Sequence, residues 1–80
     1  MNLTVKKSFR KKGIGKALIE LIMSYARLRN SENIILEARA DNIDELSLYK
    51  KLNFEIIGTR KDYYESKNGR EDAYVLNLNL

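Results

Sequence analysis

Cysteine and histidine are both absent from this 80-residue chain. Their absence excludes disulfides, thiol nucleophiles, imidazole bases and the zinc sites built from those ligands. Any proton transfer must therefore use carboxylates, tyrosine or lysine. Long apolar runs are lacking too, and the opening Met1-Asn2-Leu3-Thr4-Val5-Lys6-Lys7 has none of the apolar stretch that a signal peptide or membrane span requires. A cytoplasmic protein is the expectation. There are no internal repeats, low-complexity tracts or linkers, so the chain reads as one compact unit. A domain this short buries only about 60% of the surface its unfolded form exposes, which leaves a marginal core that a ligand or a second chain would help.

What is present is an uneven charge. The net charge is +4, and Lys6, Lys7, Arg10, Lys11, Lys12 and Lys16 crowd into one segment. Such a segment suits a polyanion. The acids come mainly later, at Glu37, Asp41, Asp44, Glu45, Glu55, Asp62, Glu65, Glu71 and Asp72, so the chain is not uniformly basic as nonspecific nucleic-acid binders tend to be. A local phosphate site is the better inference.

Periodicity gives the order of elements. Leu3 and Val5 alternate with polar neighbours in a short strand, and residues 6–12 are too charged to be buried. Ile14, Leu18, Leu21, Ile22 and Tyr25 follow the spacing of one helical face, which predicts a helix over residues 13–29 that ends at Asn30-Ser31. Ile34-Ile35-Leu36 suits a strand covered on both faces. Asn42, with Glu45 three residues on, announces a second helix whose buried face would be Leu46, Tyr49 and Leu52. Residues 54–61 and 73–80 read as strands, the last with Tyr74, Leu76, Leu78 and Leu80 on one face, joined through the turn residues Ser66-Lys67-Asn68-Gly69. The fold class is α/β, in β-α-β-α-β-β order with a mixed sheet.

Arg10-Lys11-Lys12-Gly13-Ile14-Gly15-Lys16-Ala17 lies between a strand and a helix, where unpaired backbone N–H groups and the positive helix end favour an anion. Glycines let a diphosphate approach the backbone. A Walker loop fails here, since it needs Gly at position 10 and Ser or Thr at position 17. The dinucleotide fingerprint fails because Leu18 occupies its third glycine.

With Val5 and Phe9 upstream and Leu18 downstream, the loop resembles the acetyl-CoA signature Arg/Gln-x-x-Gly-x-Gly/Ala of the GNAT superfamily of N-acetyltransferases. Lys7 stands where that family often has Pro. A second and more specific match is Leu36-Glu37-Ala38-Arg39-Ala40-Asp41-Asn42 followed by Leu48-Tyr49-Lys50-Lys51-Leu52-Asn53-Phe54. It resembles the family's Leu-Glu-Val-Arg-x-x-Asn and Leu-Tyr-x-x-Leu-Gly-Phe segments. Tyr63-Tyr64 and Gly69-Arg70-Glu71-Asp72-Ala73 make the chain most similar to the bacterial enzymes that acetylate the N-terminal alanine of a ribosomal protein.

The resemblance implies that Val5, Arg10, Lys11, Lys12, Gly13, Ile14, Gly15, Lys16 and Ala17 hold acetyl-CoA, with Asn42 as a further contact. It also implies Glu37 as general base, Tyr49 as general acid, and Tyr63 and Tyr64 beside an amine or peptide acceptor. Those roles suit the chemistry: a free α-amine has a pKa of about 8 and must be neutral to attack, while a departing thiolate leaves more easily when a phenol protonates it. Asn53 stands where the family has Gly, so a left-handed Asn is expected there. No metal is implied.

Plainer roles exist for each residue. Glu37 could pair with Arg39 or a neighbouring lysine, Tyr49 could be core, Asn42 a helix cap, and Tyr63 and Tyr64 packing residues of a hairpin. The resemblance begins at the family's fourth strand, which implies a C-terminal half-domain over residues 1–80. Leu3 to Val5 would then lie at a sheet edge, and a homodimer through that edge or by strand exchange is expected. Three functions are compatible with the sequence: an acetyltransferase, a coenzyme-binding module without turnover, and a small basic nucleic-acid-binding domain.

Overall fold

The computed structural model describes residues 2–5, 15–66 and 69–80. Its elements are β1 (Asn2–Val5), α1 (Lys16–Leu28), β2 (Asn33–Arg39), α2 (Ile43–Lys51), β3 (Glu55–Ser66) and β4 (Gly69–Asn79), in the order read from the sequence. The sheet runs β1-β2-β4-β3. β1 and β2 are parallel, with Val5 opposite Leu36, and the other pairs are antiparallel. A parallel pair needs a crossover, and α1 supplies it. β1 and β3 are the edges among the described strands, so Leu3 and Val5 lie on an edge strand as expected.

Alternation along β2 divides the sheet into two unlike faces. Ile34, Leu36 and Ala38 are buried and join Ile19 and Ala26 of α1, Leu46 and Tyr49 of α2, Phe54, and Leu76 and Leu78 of β4 in one apolar core. Each large apolar side chain buried this way contributes about 1.5–3 kcal/mol. Asn33, Ile35, Glu37 and Arg39 face the opposite way and are half-buried. The expectation that β2 is covered on both faces is thus corrected: both helices pack on the same side. Ala73, Val75 and Asn77 of β4, opposite Arg39, Glu37 and Ile35, share the face without a helix.

Both helices end alike. Asn30 (φ 56°) and Asn53 (φ 72°) adopt the left-handed conformation. Ser31 N donates to Ala26 O at 2.9 Å and Asn30 N to Arg27 O at 3.0 Å; Phe54 N donates to Tyr49 O and Asn53 N to Lys50 O, both at 3.0 Å. These are Schellman closures, in which a left-handed residue lets orphan carbonyls find donors. The apolar contact that accompanies such a closure is present at the second, where the Tyr49 and Phe54 rings lie 5.7 Å apart. Phe54 accordingly serves the helix end, and β3 begins after it.

Several boundaries and one face depart from the sequence reading. α1 begins at Lys16, because Gly15 is extended (φ −69°, ψ 161°) and caps the helix rather than entering it. Its buried residues are Ile19 and Ala26, with Leu18, Ile22 and Met23 against the core, whereas Leu21 and Tyr25 are exposed. Apolar residues spread widely around this helix, and Ile19, Met23 and Ala26 form a stripe as regular as the one chosen from the sequence. β3 continues to Ser66 and β4 starts at Gly69. Ser66 pairs with Gly69, closing the expected turn, with Lys67 and Asn68 outside the described residues. The hairpin extends beyond its apolar part because a bulge between Arg60 and Tyr64 absorbs the charged residues: Asp62 takes φ 53°, its N–H donates to Asp72 Oδ1 at 2.9 Å, and Arg70 Nε donates to its carbonyl at 3.0 Å. Leu76 and Leu78 are buried and Tyr74 packs on the core, but Leu80 lies beyond the strand and is exposed. No helix among the described residues is long and apolar enough to cross a membrane.

Candidate active site

Of the expected phosphate loop, Arg10, Lys11, Lys12, Gly13 and Ile14 lie outside the described residues. Gly15, Lys16 and Ala17 form the exposed start of α1, and Val5 ends β1 opposite Leu36. Among the described residues no side chain caps α1, no acid stands in its first turn, and a Cβ at Gly15 would meet nothing within 4 Å. First-turn N–H groups have no intrahelical acceptor, and a helix start of this kind favours an anion.

Glu37 follows Leu36, the last residue of β2 paired with β1. Its side chain lies on the face without helices and is only 8% exposed. Arg60, on the far side of β4, brings its Nε to 2.7 Å from Glu37 Oε2. That oxygen nonetheless accepts no hydrogen bond among the described residues, so the guanidinium N–H is not aimed at it. The contact is an ion pair by distance and lacks the alignment of a hydrogen bond. Asn33 Oδ1 and Asn77 Oδ1 are likewise buried without a hydrogen-bond partner among the described residues, and strand alternation puts all three acceptors on this one face.

Tyr49 lies on the other side of the sheet, fully buried in the core. Its hydroxyl donates to Glu45 Oε1 one turn earlier. Asn42 Nδ2 donates to the other oxygen of Glu45 at 2.6 Å, and Glu45 N donates to Asn42 Oδ1 at 3.2 Å. The N-cap expected of Asn42 is therefore present, and both ends of its amide are engaged with Glu45. Glu37 and Tyr49 belong to opposite faces of the sheet because Leu36 and Ala38, the neighbours of Glu37, are the β2 residues that pack with Tyr49.

Tyr63 is exposed beside the bulge, and the Arg60 guanidinium carbon lies 5.3 Å from its ring centroid, within cation–π range. The structure thus brings Glu37 and Tyr63 to one cation. Tyr64 pairs through its backbone with Glu71. Arg60 did not emerge from the sequence, and Glu45 emerged as the capping partner of Asn42 but not as the partner of Tyr49. Glu45 carried a signal, since it precedes Tyr49 by one helical turn; Arg60 carried none, because its approach to Glu37 depends on the register across β4.

Residues 1–54 match the acetyltransferase (GNAT) family. The chain belongs to the GNAT acetyltransferase family. It is 34% identical over 77 residues to the [ribosomal protein bS18]-alanine N-acetyltransferase of Escherichia coli K12, covering 96% of this chain and 52% of that protein. The crystal structure of the ribosomal-protein-S18-alanine N-acetyltransferase from Escherichia coli superposes with a TM-score of 0.76, at 34% identity, over 89% of this chain and 46% of that one. An N-alpha-acetyltransferase of Saccharolobus solfataricus is 38% identical, with 95% of this chain and 44% of that protein covered. The NatC complex bound to Gag peptide and CoA gives a TM-score of 0.77 at 27% identity, over 96% of this chain and 50% of that one. This GNAT chain spans about half the length of the curated relatives it matches.

Proposed function

We propose that this GNAT chain binds acetyl-CoA and transfers the acetyl group to the N-terminal amine of a protein, an N-terminal alanine being the favoured acceptor. The observation that carries this reading is the position of Glu37. It is the first residue of β2 past the described β1 pairing, and its carboxylate faces away from the helices. An amine and a thioester brought together where the described β1–β2 pairing ends would meet Glu37 at that point, with Tyr49 in the core behind the same strand. In this reading residues 10–17 and Val5 hold the coenzyme, with Asn42 beside it. Glu37 accepts a proton as the amine nitrogen bonds to the thioester carbonyl carbon. Tyr49 delivers a proton to sulfur as the carbon–sulfur bond breaks. Tyr63 would stand on the acceptor's path, and the side chain of Tyr64, for which the same role is proposed, lies outside the described part of the structure.

Mass spectrometry of a peptide with an N-terminal alanine, incubated with the chain and acetyl-CoA, tests this directly. A gain of one acetyl group is expected, with Glu37→Gln and Tyr49→Phe each lowering the rate about 100-fold or more. An unmodified peptide contradicts the transfer reading.

A second reading, coenzyme binding without turnover, is favoured by the Tyr49 hydroxyl, whose proton is already donated to Glu45. Coenzyme binding without peptide modification selects it. We propose in addition that the chain corresponds to the C-terminal half of a GNAT domain and forms a homodimer. The β1 strand, an edge among the described strands, and the three buried acceptors without hydrogen-bond partners among the described residues support this, since a covering chain offers them donors. Sedimentation at micromolar concentration should give twice the chain mass; a single-chain mass excludes the dimer.

A further inference from the structure

We infer that Arg60 is the positioning residue for Glu37, fixing the carboxylate of the proposed base and coupling it to Tyr63 at the acceptor's path. This rests on the acetyl-transfer reading above. Arg60 and Glu37 stand on strands that are both neighbours of β4, and the register sets Arg60 opposite Ala73 and Glu37 opposite Val75. Neighbouring strands lie about 4.8 Å apart, so two side chains flanking a central strand meet only when long ones cross above a small residue. Ala73 is that residue. It is fully buried although it lies on the face that neither helix covers. Gly58, opposite Val75 on β3, leaves further room, since a Cβ there would meet nothing within 4 Å.

The contact suits positioning better than it suits neutralisation by a hydrogen bond. Nε comes to 2.7 Å from Oε2, yet Oε2 keeps its acceptor capacity unfilled among the described residues. The carboxylate is held by charge and can still accept a proton from an amine. The guanidinium beside it also disfavours the ammonium form of that amine, which must be neutral to attack. Arg60 itself is steadied from the other side by the Tyr63 ring at 5.3 Å. The bulge that returns Tyr63 toward Arg60 is pinned by the Asp62 bonds to Asp72 and Arg70. An acceptor that packs on Tyr63 therefore acts on the same cation that orients Glu37.

The test uses the full chain with Arg60→Met, Arg60→Lys, Glu37→Gln and the Arg60→Met/Glu37→Gln double variant. Arg60→Met is expected to lower kcat for acetylation of an alanine-terminated peptide by about 10- to 100-fold, with acetyl-CoA affinity within about twofold of the unaltered chain. Arg60→Lys, which keeps the charge, should recover a large part of the loss. In the Glu37→Gln background, Arg60→Met should have little further effect. An unchanged kcat in Arg60→Met, or an equal loss with and without Glu37, overturns the inference. Thermal unfolding of the same four proteins gives a readout that needs no turnover: the midpoint losses of the single variants should exceed in sum that of the double variant, and additive losses overturn the inference. If the unaltered chain binds acetyl-CoA but acetylates nothing, the transfer reading fails alone, and the unfolding cycle decides whether Arg60 holds Glu37.

Discussion

The hydroxyl of Tyr49 donates to the carboxylate of Glu45, one turn before it in α2. Glu45 is also held by Asn42, so the N-cap, an acid and a buried phenol form one network along a nine-residue helix. A buried hydroxyl that loses its acceptor pays the desolvation of that group, about 1–3 kcal/mol. Glu45→Ala should therefore destabilise the chain by this amount and lower the unfolding midpoint by several degrees, about 4–8 °C for each kcal/mol in a domain of this size. Asn42→Ala should cost about 1 kcal/mol, and the double variant less than the sum, because both changes dismantle the same contacts. Strict additivity in thermal unfolding would show that the network does not act as a unit.

Asn53 closes α2 at φ 72°. A left-handed backbone costs an L-residue with an ordinary side chain about 1–2 kcal/mol, and glycine nothing. Asn53→Ala should lower stability by about 1 kcal/mol, whereas Asn53→Gly should leave it equal or higher. Denaturant midpoints of the two variants compare them directly; equal losses would contradict the left-handed closure.

The orientation of α1 is open to a similar comparison. Ile19 is fully buried, while Leu21 is 65% exposed. Ile19→Val removes one buried methyl and should cost about 0.5–1.5 kcal/mol, but Leu21→Gln should stay within about 0.5 kcal/mol. A larger loss from Leu21→Gln would mean that this face is covered in solution by another chain or turned to the core.

Most of the fold was legible because local signals agreed. Asn42 and Glu45 marked the start of α2, Asn30 and Asn53 marked the ends of α1 and α2, and alternation marked β4. The buried face of α1 was only partly legible, since Leu18 and Ile22 can be grouped with Leu21 and Tyr25 on one side as readily as with Ile19, Met23 and Ala26 on the other. Only contact with β2, where small Ala26 fits, decides between them. The length of β3 was hidden for another reason: a bulge with one left-handed aspartate breaks the period of two on which strand reading depends. In the candidate site, Glu37, Asn42 and Tyr49 were visible as residue types at a family's spacing. Of their partners, Glu45 was visible beside Asn42 and Arg60 was not. Arg60 reaches Glu37 through a register across three strands, and that register is a property of the assembled sheet.

The proposed transfer depends on acetyl-CoA being held by the loop that opens α1, and isothermal titration of the chain with acetyl-CoA measures that grip. Saturable binding is expected, weakened about tenfold or more when Gly15 is replaced by Asp, which puts a negative side chain at an anion-binding helix start. Titration without heat of binding at millimolar acetyl-CoA, or an affinity indifferent to Gly15→Asp, would contradict the account.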